Sequence, residues 1–260
     1  MRKKLTKNKL KNVVITGANG DLATSIINLL EADNIILISR NIDNLLEKYA
    51  NRENIYLYQC DIAKDKEVGL VCQDISRRFG AIDLLINNAG YGQFKNFMAF
   101  SYDEIKDMFT VNTLALMNIT RRFLAGMKEN NQGHIINISS MASKMATAQS
   151  SIYAASKFAV LGFSNALRLE LAGNNIIVTT VNPGPIKTKF FDIADPSGEY
   201  LDKVSNLALD PDKLALKIVK NIGRKKREIN APRLMEFAAR LYTIFPRTGD
   251  FLALKMFNYK

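Results

Sequence analysis

The chain has a single histidine, two cysteines and no apolar run approaching the roughly 18 residues that span a bilayer as a helix. With only His134 available, any mechanism that needs several imidazoles is excluded. Cys60 and Cys72 lack CxxC spacing and build no disulfide framework, which fits a reduced, cytoplasmic setting. The opening MRKKLTKNKLKN is basic but has no apolar segment behind it, so it does not read as a secretory signal. Internal repeats, low-complexity tracts and a Pro/Ser/Gly-rich linker are also missing. What remains is ordinary globular composition: 260 residues, 47% apolar and 23% charged.

The formal net charge is +11, and it is unevenly placed. Residues 1–11 hold six Lys/Arg and no acid, and residues 220–260 hold ten against Glu228, Glu236 and Asp250. Residues 12–219 carry 20 basic and 22 acidic side chains. Basicity confined to the ends does not describe a nucleic-acid-binding face on a folded body. An anionic membrane surface suits the ends better, with plain solubility as the alternative.

Apolar periodicity alternates between strand and helix. Val13–Thr16, Ile35–Ser39, Ile55–Cys60, Leu84–Asn87, Ile135–Ser139 and Ile176–Asn182 read as buried strands. Helical stretches are expected at Leu22–Glu31, Glu67–Phe79, Tyr102–Lys128, Tyr153–Leu171 and Pro211–Asn221. Parallel strands require helical crossovers, and six such units without a linker give one doubly wound α/β domain. Phe190–Asp212, rich in Asp, Ser, Gly and Pro, reads as a mobile loop or lid.

Three features carry chemistry. The first strand runs into Thr16-Gly17-Ala18-Asn19-Gly20-Asp21-Leu22-Ala23, where a glycine turn before a helix lets backbone N–H groups approach a pyrophosphate. The second strand ends at Ser39-Arg40: a cation where an acid would accept hydrogen bonds from a ribose 2′-hydroxyl, which favours NADP(H) over NAD(H). Tyr153 and Lys157 stand at i and i+4 on one helix face, and an ammonium beside a phenol is expected to lower the phenol pKa toward working pH. Tyr153 is thereby a candidate general acid or base. Ser140, thirteen residues earlier, follows the fifth strand, at the sheet end where ligands bind.

Together with Asn87-Asn88-Ala89-Gly90 and Asn182-Pro183-Gly184, this order of motifs resembles the short-chain dehydrogenases/reductases in their single-domain form, over roughly residues 12–232. The resemblance implies a Rossmann-fold domain of about seven strands with helices on both faces. It implies hydride exchange between a nicotinamide cofactor and a ketone, aldehyde or alcohol. Ser140 would steady the substrate oxygen, Tyr153 transfer the proton, Lys157 hold the nicotinamide ribose and Asn112 hold a water in a proton relay. The cofactor set would be Gly17, Asn19, Gly20, Asp21, Leu22, Ser39, Arg40, Asp61, Ile62, Asn88, Ala89, Gly90, Tyr153, Lys157, Pro183, Gly184, Ile186 and Thr188, with Asp61 toward the adenine amino group and the Pro-Gly segment toward the carboxamide. No metal is expected. A homodimer or homotetramer through Tyr102–Lys128 and Tyr153–Leu171 is implied in the same way. The glycine turn departs from the family's TGxxxGxG: Gly17, Gly20 and Ala23 fit GxxGxxG/A, and Asp21 is expected to cap the following helix. A looser likeness, in PGPIKTKFF and the basic run 224–227, is to bacterial oxidoreductases of mostly unassigned substrate.

Residues 1–11 read as a basic, disordered lead-in, and 233–260 as a basic amphipathic segment. Leu234, Phe237, Ala238, Leu241 and Phe245 share one face of Arg233–Phe245, and Pro246 is expected to end or kink it. Phe251, Leu252, Leu254, Met256 and Phe257 follow. This segment is expected to pack on the body, on a second subunit or on a membrane, the last placing the protein peripherally at the inner membrane face. Phe190, Phe191 and the loop to Leu209 would close over a lipophilic substrate. The alternatives are an NAD-preferring dehydrogenase and a non-catalytic nucleotide sensor.

Overall fold

The computed structural model describes residues 10–195, 198 and 208–256. Residues 1–9 of the expected lead-in, most of the lid between 196 and 207, and Phe257 lie outside the described residues, as do the side chains of Leu252 and Met256.

Seven strands form one parallel sheet: β1 (Leu10–Thr16), β2 (Ala32–Ser39), β3 (Ile55–Gln59), β4 (Leu84–Asn87), β5 (Gly133–Ile138), β6 (Ile176–Pro183) and β7 (Glu228–Ala231). Their spatial order is β3-β2-β1-β4-β5-β6-β7. Helices α1 (Asp21–Leu29), α2 (Asp43–Lys48), α3 (Asp65–Phe79), α4 (Tyr102–Phe109), α5 (Ala115–Glu129), α6 (Ser151–Glu170), α7 (Phe190–Ala194), α8 (Pro211–Val219), α9 (Arg233–Ile244) and α10 (Pro246–Met256) complete the chain.

Strand alternation builds a core on each face of the sheet. Val13, Ile15, Ile35, Leu37, Leu84 and Ile86 pack under α1 and α8. Val14, Ile36, Ile38, Leu85 and Ile135 pack under α3, α5 and α6. Both faces are covered, so these strands are continuous apolar runs, and burying each such side chain contributes about 1.5–3 kcal/mol.

Two expectations change. The single helix Tyr102–Lys128 is interrupted by a π-helical turn at Thr110–Leu114, which places Asn112 inside the protein. The start of the lid is helical: Phe190–Ala194 forms α7, with Phe191 and Ala194 buried. Pro246 ends α9, as the sequence predicts, and also opens α10, because a proline at the first helical position loses no intrahelical bond. On α9, Met235 and Ala239 face the body while the apolar face Leu234, Phe237, Ala238 and Leu241 points to solvent.

His134, at the start of β5, belongs to the base of the sheet. Its Nδ1 accepts from Gly223 N (3.1 Å), its Nε2 donates to Thr179 Oγ1 (2.9 Å), and that hydroxyl donates to Lys226 O (2.6 Å). The ring pins the turn before β7 to the sheet. Burial lowers its pKa from 6.5 to about 4. Cys60 and Cys72 are buried free thiols, pushed up by burial to about 11 and about 12, and are inert at neutral pH.

The imidazole sets a pH dependence. The unfolded chain takes up a proton near pH 6.5 while the folded chain resists until about 4, so stability is full above 6.5 and falls as pH drops through that window. Between about pH 7 and pH 5.5, where ordinary carboxylates stay ionised, unfolding free energy is expected to drop by about 1 kcal/mol. Urea melts at the two pH values check this; equal midpoints would contradict it.

Candidate active site

Between β1 and β4 the strand order reverses, and in an open parallel sheet the crevice beyond such a point is where ligands bind. Thr16 ends β1 and ties the two turns together. Its Oγ1 accepts from the backbone N–H groups of Asn88 and Ala89 (both 3.1 Å), and Asn88 Nδ2 donates to the Thr16 and Gly17 carbonyls (3.2 and 3.0 Å). Gly17 has φ +65°, and a Cβ there would lie 2.7 Å from Ala89 Cα. Only glycine permits both the turn and the contact.

Beyond this clasp lies a cavity of about 380 Å³. It brings together Asn19, Gly20, Asp21, Leu22, Asn88, Gly90, Ser140, Tyr153, Lys157, Pro183, Gly184, Ile186 and Thr188 from the sequence-derived set. Gly17, Ser39, Arg40, Asp61, Ile62, Ala89 and Asn112 do not line it. Gly17 and Ala89 lie in the packed floor. Ser39 Oγ accepts from Asn19 Nδ2 (3.0 Å), and the same amide also reaches the Asn41 carbonyl. Arg40 is exposed at the end of β2 and forms no ion pair among the described residues. The Asp61 carboxylate accepts from its own Ala63 N–H (3.1 Å).

Asn112 sits directly behind Gly90. Its side chain clasps the Tyr91 backbone, Oδ1 accepting from Tyr91 N and Nδ2 donating to Tyr91 O (both 2.9 Å), with Ser156 Oγ at 3.0 Å. A Cβ on Gly90 would meet Asn112 Oδ1 at 3.0 Å and Lys157 Nζ at 3.2 Å, so this glycine leaves the room in which amide and ammonium converge.

Tyr153 and Lys157 share a face of α6. Lys157 Nζ donates to the Ile138 carbonyl (3.2 Å) and lies 5.8 Å from the Tyr153 ring centroid. The expected acidification of the phenol is corrected by their surroundings. Burial pushes Tyr153 up to about 12, opposed by the Ser140 hydroxyl, and pushes Lys157 down to about 8. Desolvation outweighs the neighbouring charge.

The other half of the cavity is apolar. Phe190 and Phe94 pack on the Tyr153 ring with centroids 5.9 and 5.7 Å away, and Phe191 lies 5.4 Å from Phe190. Phe94 N bonds to Ala194 O (2.8 Å), fastening α7 over this cluster. Gly92 allows the approach, since a Cβ there would sit 2.9 Å from Phe190 Cζ. Met141, Ala142, Met145, Ile193 and Met235 complete the wall. Sequence reading missed Phe94 and Met235. Phe94 lies four residues past Asn87-Asn88-Ala89-Gly90 and gave a usable signal, whereas Met235 interrupts no pattern on α9.

Asp21 does not cap α1, whose N-cap is Gly20. Its Oδ2 accepts from Lys189 N (2.8 Å), joining the glycine turn to the segment that leads into α7.

The sequence profile of the short chain dehydrogenases matches residues 11–196. The chain belongs to the short-chain dehydrogenase/reductase family. An uncharacterised oxidoreductase of Staphylococcus saprophyticus is 31% identical over 215 residues, covering 80% of this chain and 87% of its own. The ketoacyl reductase HetN of Nostoc sp. is 31% identical over 227 residues, covering 84% and 77%. Among solved structures, the 3-ketoacyl-(acyl-carrier-protein) reductase of Brucella melitensis, complexed with NADH, superposes with a TM-score of 0.76 at 22% identity over 86% of this chain and 97% of its own. This short-chain dehydrogenase/reductase is therefore an oxidoreductase of alcohol and carbonyl groups on a Rossmann-like sheet. The glycine turn, the Asn88 clasp and the cavity running from Gly20 to Tyr153 fit a dinucleotide of the NAD(P)(H) type.

Asp21 gives this cofactor site a measurable peculiarity, an acid at the N-terminus of the helix that would meet a diphosphate. Asp21→Asn keeps an acceptor for Lys189 N and removes the charge. Dinucleotide affinity is expected to rise about fivefold, from relief of roughly 1 kcal/mol of repulsion near the surface. Titration of NADPH or NADH against intrinsic tyrosine fluorescence reads the change, and unaltered affinity would place the carboxylate away from the phosphates.

Proposed function

We propose that the protein is an NADP(H)-dependent reductase that converts an apolar ketone or aldehyde into the alcohol. The observation that carries this reading is the convergence of Ser140, Tyr153 and Lys157 at the junction between a glycine- and amide-lined half of the cavity and a half walled by aromatic and methionine side chains. A bound nicotinamide supplies the hydride. Ser140 donates a hydrogen bond to the carbonyl oxygen as negative charge grows there. Tyr153, protonated throughout the neutral range because burial lifts it to about 12, holds the proton that this oxygen takes up. Lys157, carrying its charge below about 8, stabilises the phenolate left behind. Asn112 fixes the Tyr91 backbone behind them, and the absence of a Cβ at Gly90 leaves room for its amide beside the ammonium.

A phenol that keeps its proton is poised to give one, which supports reduction over oxidation. The cluster of Phe94, Phe190 and Phe191 excludes water from the reacting centre and, with Met141, Met145 and Met235, supports a lipophilic substrate. Arg40, exposed at the end of β2 and without an ion pair among the described residues, supports the 2′-phosphate preference.

Tyr153→Phe keeps the ring that Phe94 and Phe190 pack against and removes the proton donor. Turnover of NADPH with a carbonyl substrate is expected to fall by about 10²–10⁴ while NADPH binding stays intact. Surviving turnover would refute the assigned role. Arg40→Asp is expected to reverse the preference, raising KM for NADPH and lowering it for NADH; an unchanged KM ratio would show that Arg40 does not read the ribose.

A further inference from the structure

Single exposed leucines are ordinary on protein surfaces. The C-terminal hairpin is different. On α9, Leu234 (64%), Phe237 (60%), Leu241 (41%) and Ile244 (65%) face solvent, followed by Phe245 (59%). Their spacing puts them on one face. Helix α10 adds Phe251 (65%) and Leu254 (58%) and is held to α9 by Tyr242, whose hydroxyl donates to Asp250 Oδ1 (2.7 Å) and whose ring lies against Gly249. Clustered exposed apolar side chains with a polar border mark interaction surfaces.

Charge indicates what covers it. Arg233, Arg240 and Arg247 are exposed beside this face. Arg240 is paired with Glu236 (2.6 Å), and Asp250 accepts from the neutral Tyr242 hydroxyl and keeps its charge. Residues 233–256 hold Arg233, Arg240, Arg247 and Lys255 against these two acids, so the excess charge is positive. A second copy laid on the same face about a twofold axis would bring arginines against arginines, whereas an anionic lipid surface accepts both the apolar face and its basic border.

The same helix reaches the active site. Met235, the neighbour of outward-facing Leu234, turns inward to line the cavity, where its Sδ would lie 2.6 Å from a Cβ on Gly184. Ile193, also in the cavity wall, is 63% exposed and marks an apolar rim.

We propose that the α9–α10 hairpin is a docking surface for an anionic lipid bilayer, which sets this end of the cavity at the interface where apolar carbonyl substrates partition. The substrate clause rests on the reductase reading, but the docking clause does not.

The experiment is co-sedimentation of the full chain with vesicles of phosphatidylcholine alone and of phosphatidylcholine with phosphatidylglycerol. Binding to the anionic vesicles and weaker binding to the neutral ones is expected. Phe237→Glu should weaken it at least about tenfold, the loss of one buried aromatic side chain, and Arg247→Gln about fivefold on the anionic vesicles only. Both side chains are exposed, and unchanged reduction of a water-soluble carbonyl by each variant shows the fold intact. No binding to either vesicle, or binding that Phe237→Glu leaves unaltered, overturns the proposal. A Phe237→Glu variant that loses an oligomer seen by light scattering, with no vesicle binding by the parent, assigns the face to a second copy and overturns it as well. Failure of the parent to oxidise NADPH with any carbonyl would sink the reductase reading alone, since sedimentation does not depend on turnover.

Discussion

The hydrogen bonds of Thr16 and Asn88 hold the two turns at the point where the sheet changes direction, and every functional side chain is placed relative to that clasp. Thr16 Oγ1 takes two backbone N–H groups from the β4 turn, and Asn88 returns two bonds to the β1 turn. The arrangement leaves no room for a Cβ at Gly17. Because the two strands are adjacent and parallel, their turns open the same crevice, and β5 and β6 bring Ser140 and Gly184 to its other end. The amides of Asn87 and Asn137, paired across β4 and β5 at 2.9 Å, continue the polar stitching inside the sheet. Asn87 Nδ2 also donates to Thr120 Oγ1 (2.9 Å), and bonds that form in a single strand register help to specify it.

Burial, more than charge, tunes the reacting groups. The i, i+4 spacing of Tyr153 and Lys157 was enough to place them side by side, but the protonation states follow from the aromatic lining that removes water. Phe94 and Phe190 raise the cost of a phenolate, and the same enclosure favours a neutral amine at Lys157. The two shifts together leave a protonated phenol beside a lysine that still carries charge near neutrality, a combination suited to delivering a proton to oxygen.

Much of this was legible in the sequence because the signals were local and dense. The strands from Val13, Ile35, Ile55, Leu84, Ile135 and Ile176 were marked by short apolar runs, and Ser140, Tyr153 and Lys157 by spacing. What escaped reading was set by contacts between distant segments. The π-helical turn at Thr110–Leu114 has no periodic signature, and the helical pattern of Tyr102–Lys128 passes through it unbroken. Asp21 read as a helix cap, yet its partner, Lys189, lies 168 residues away. On α9 the apolar stripe was legible but its partner was not: the body takes the narrow Met235–Ala239 edge and leaves the wide face outward. The basic border that distinguishes such a helix from a core helix was present in the sequence, but only the packing says which face is free.

The sole imidazole of the chain is committed to the foot of the sheet, hydrogen-bonded on both nitrogens and far from the crevice. Acylation of that ring, read by the absorbance of the modified imidazole, would therefore measure how often this end of the sheet opens, and its slowing by a bound nucleotide would measure the rigidity that binding lends to a distant part of the fold.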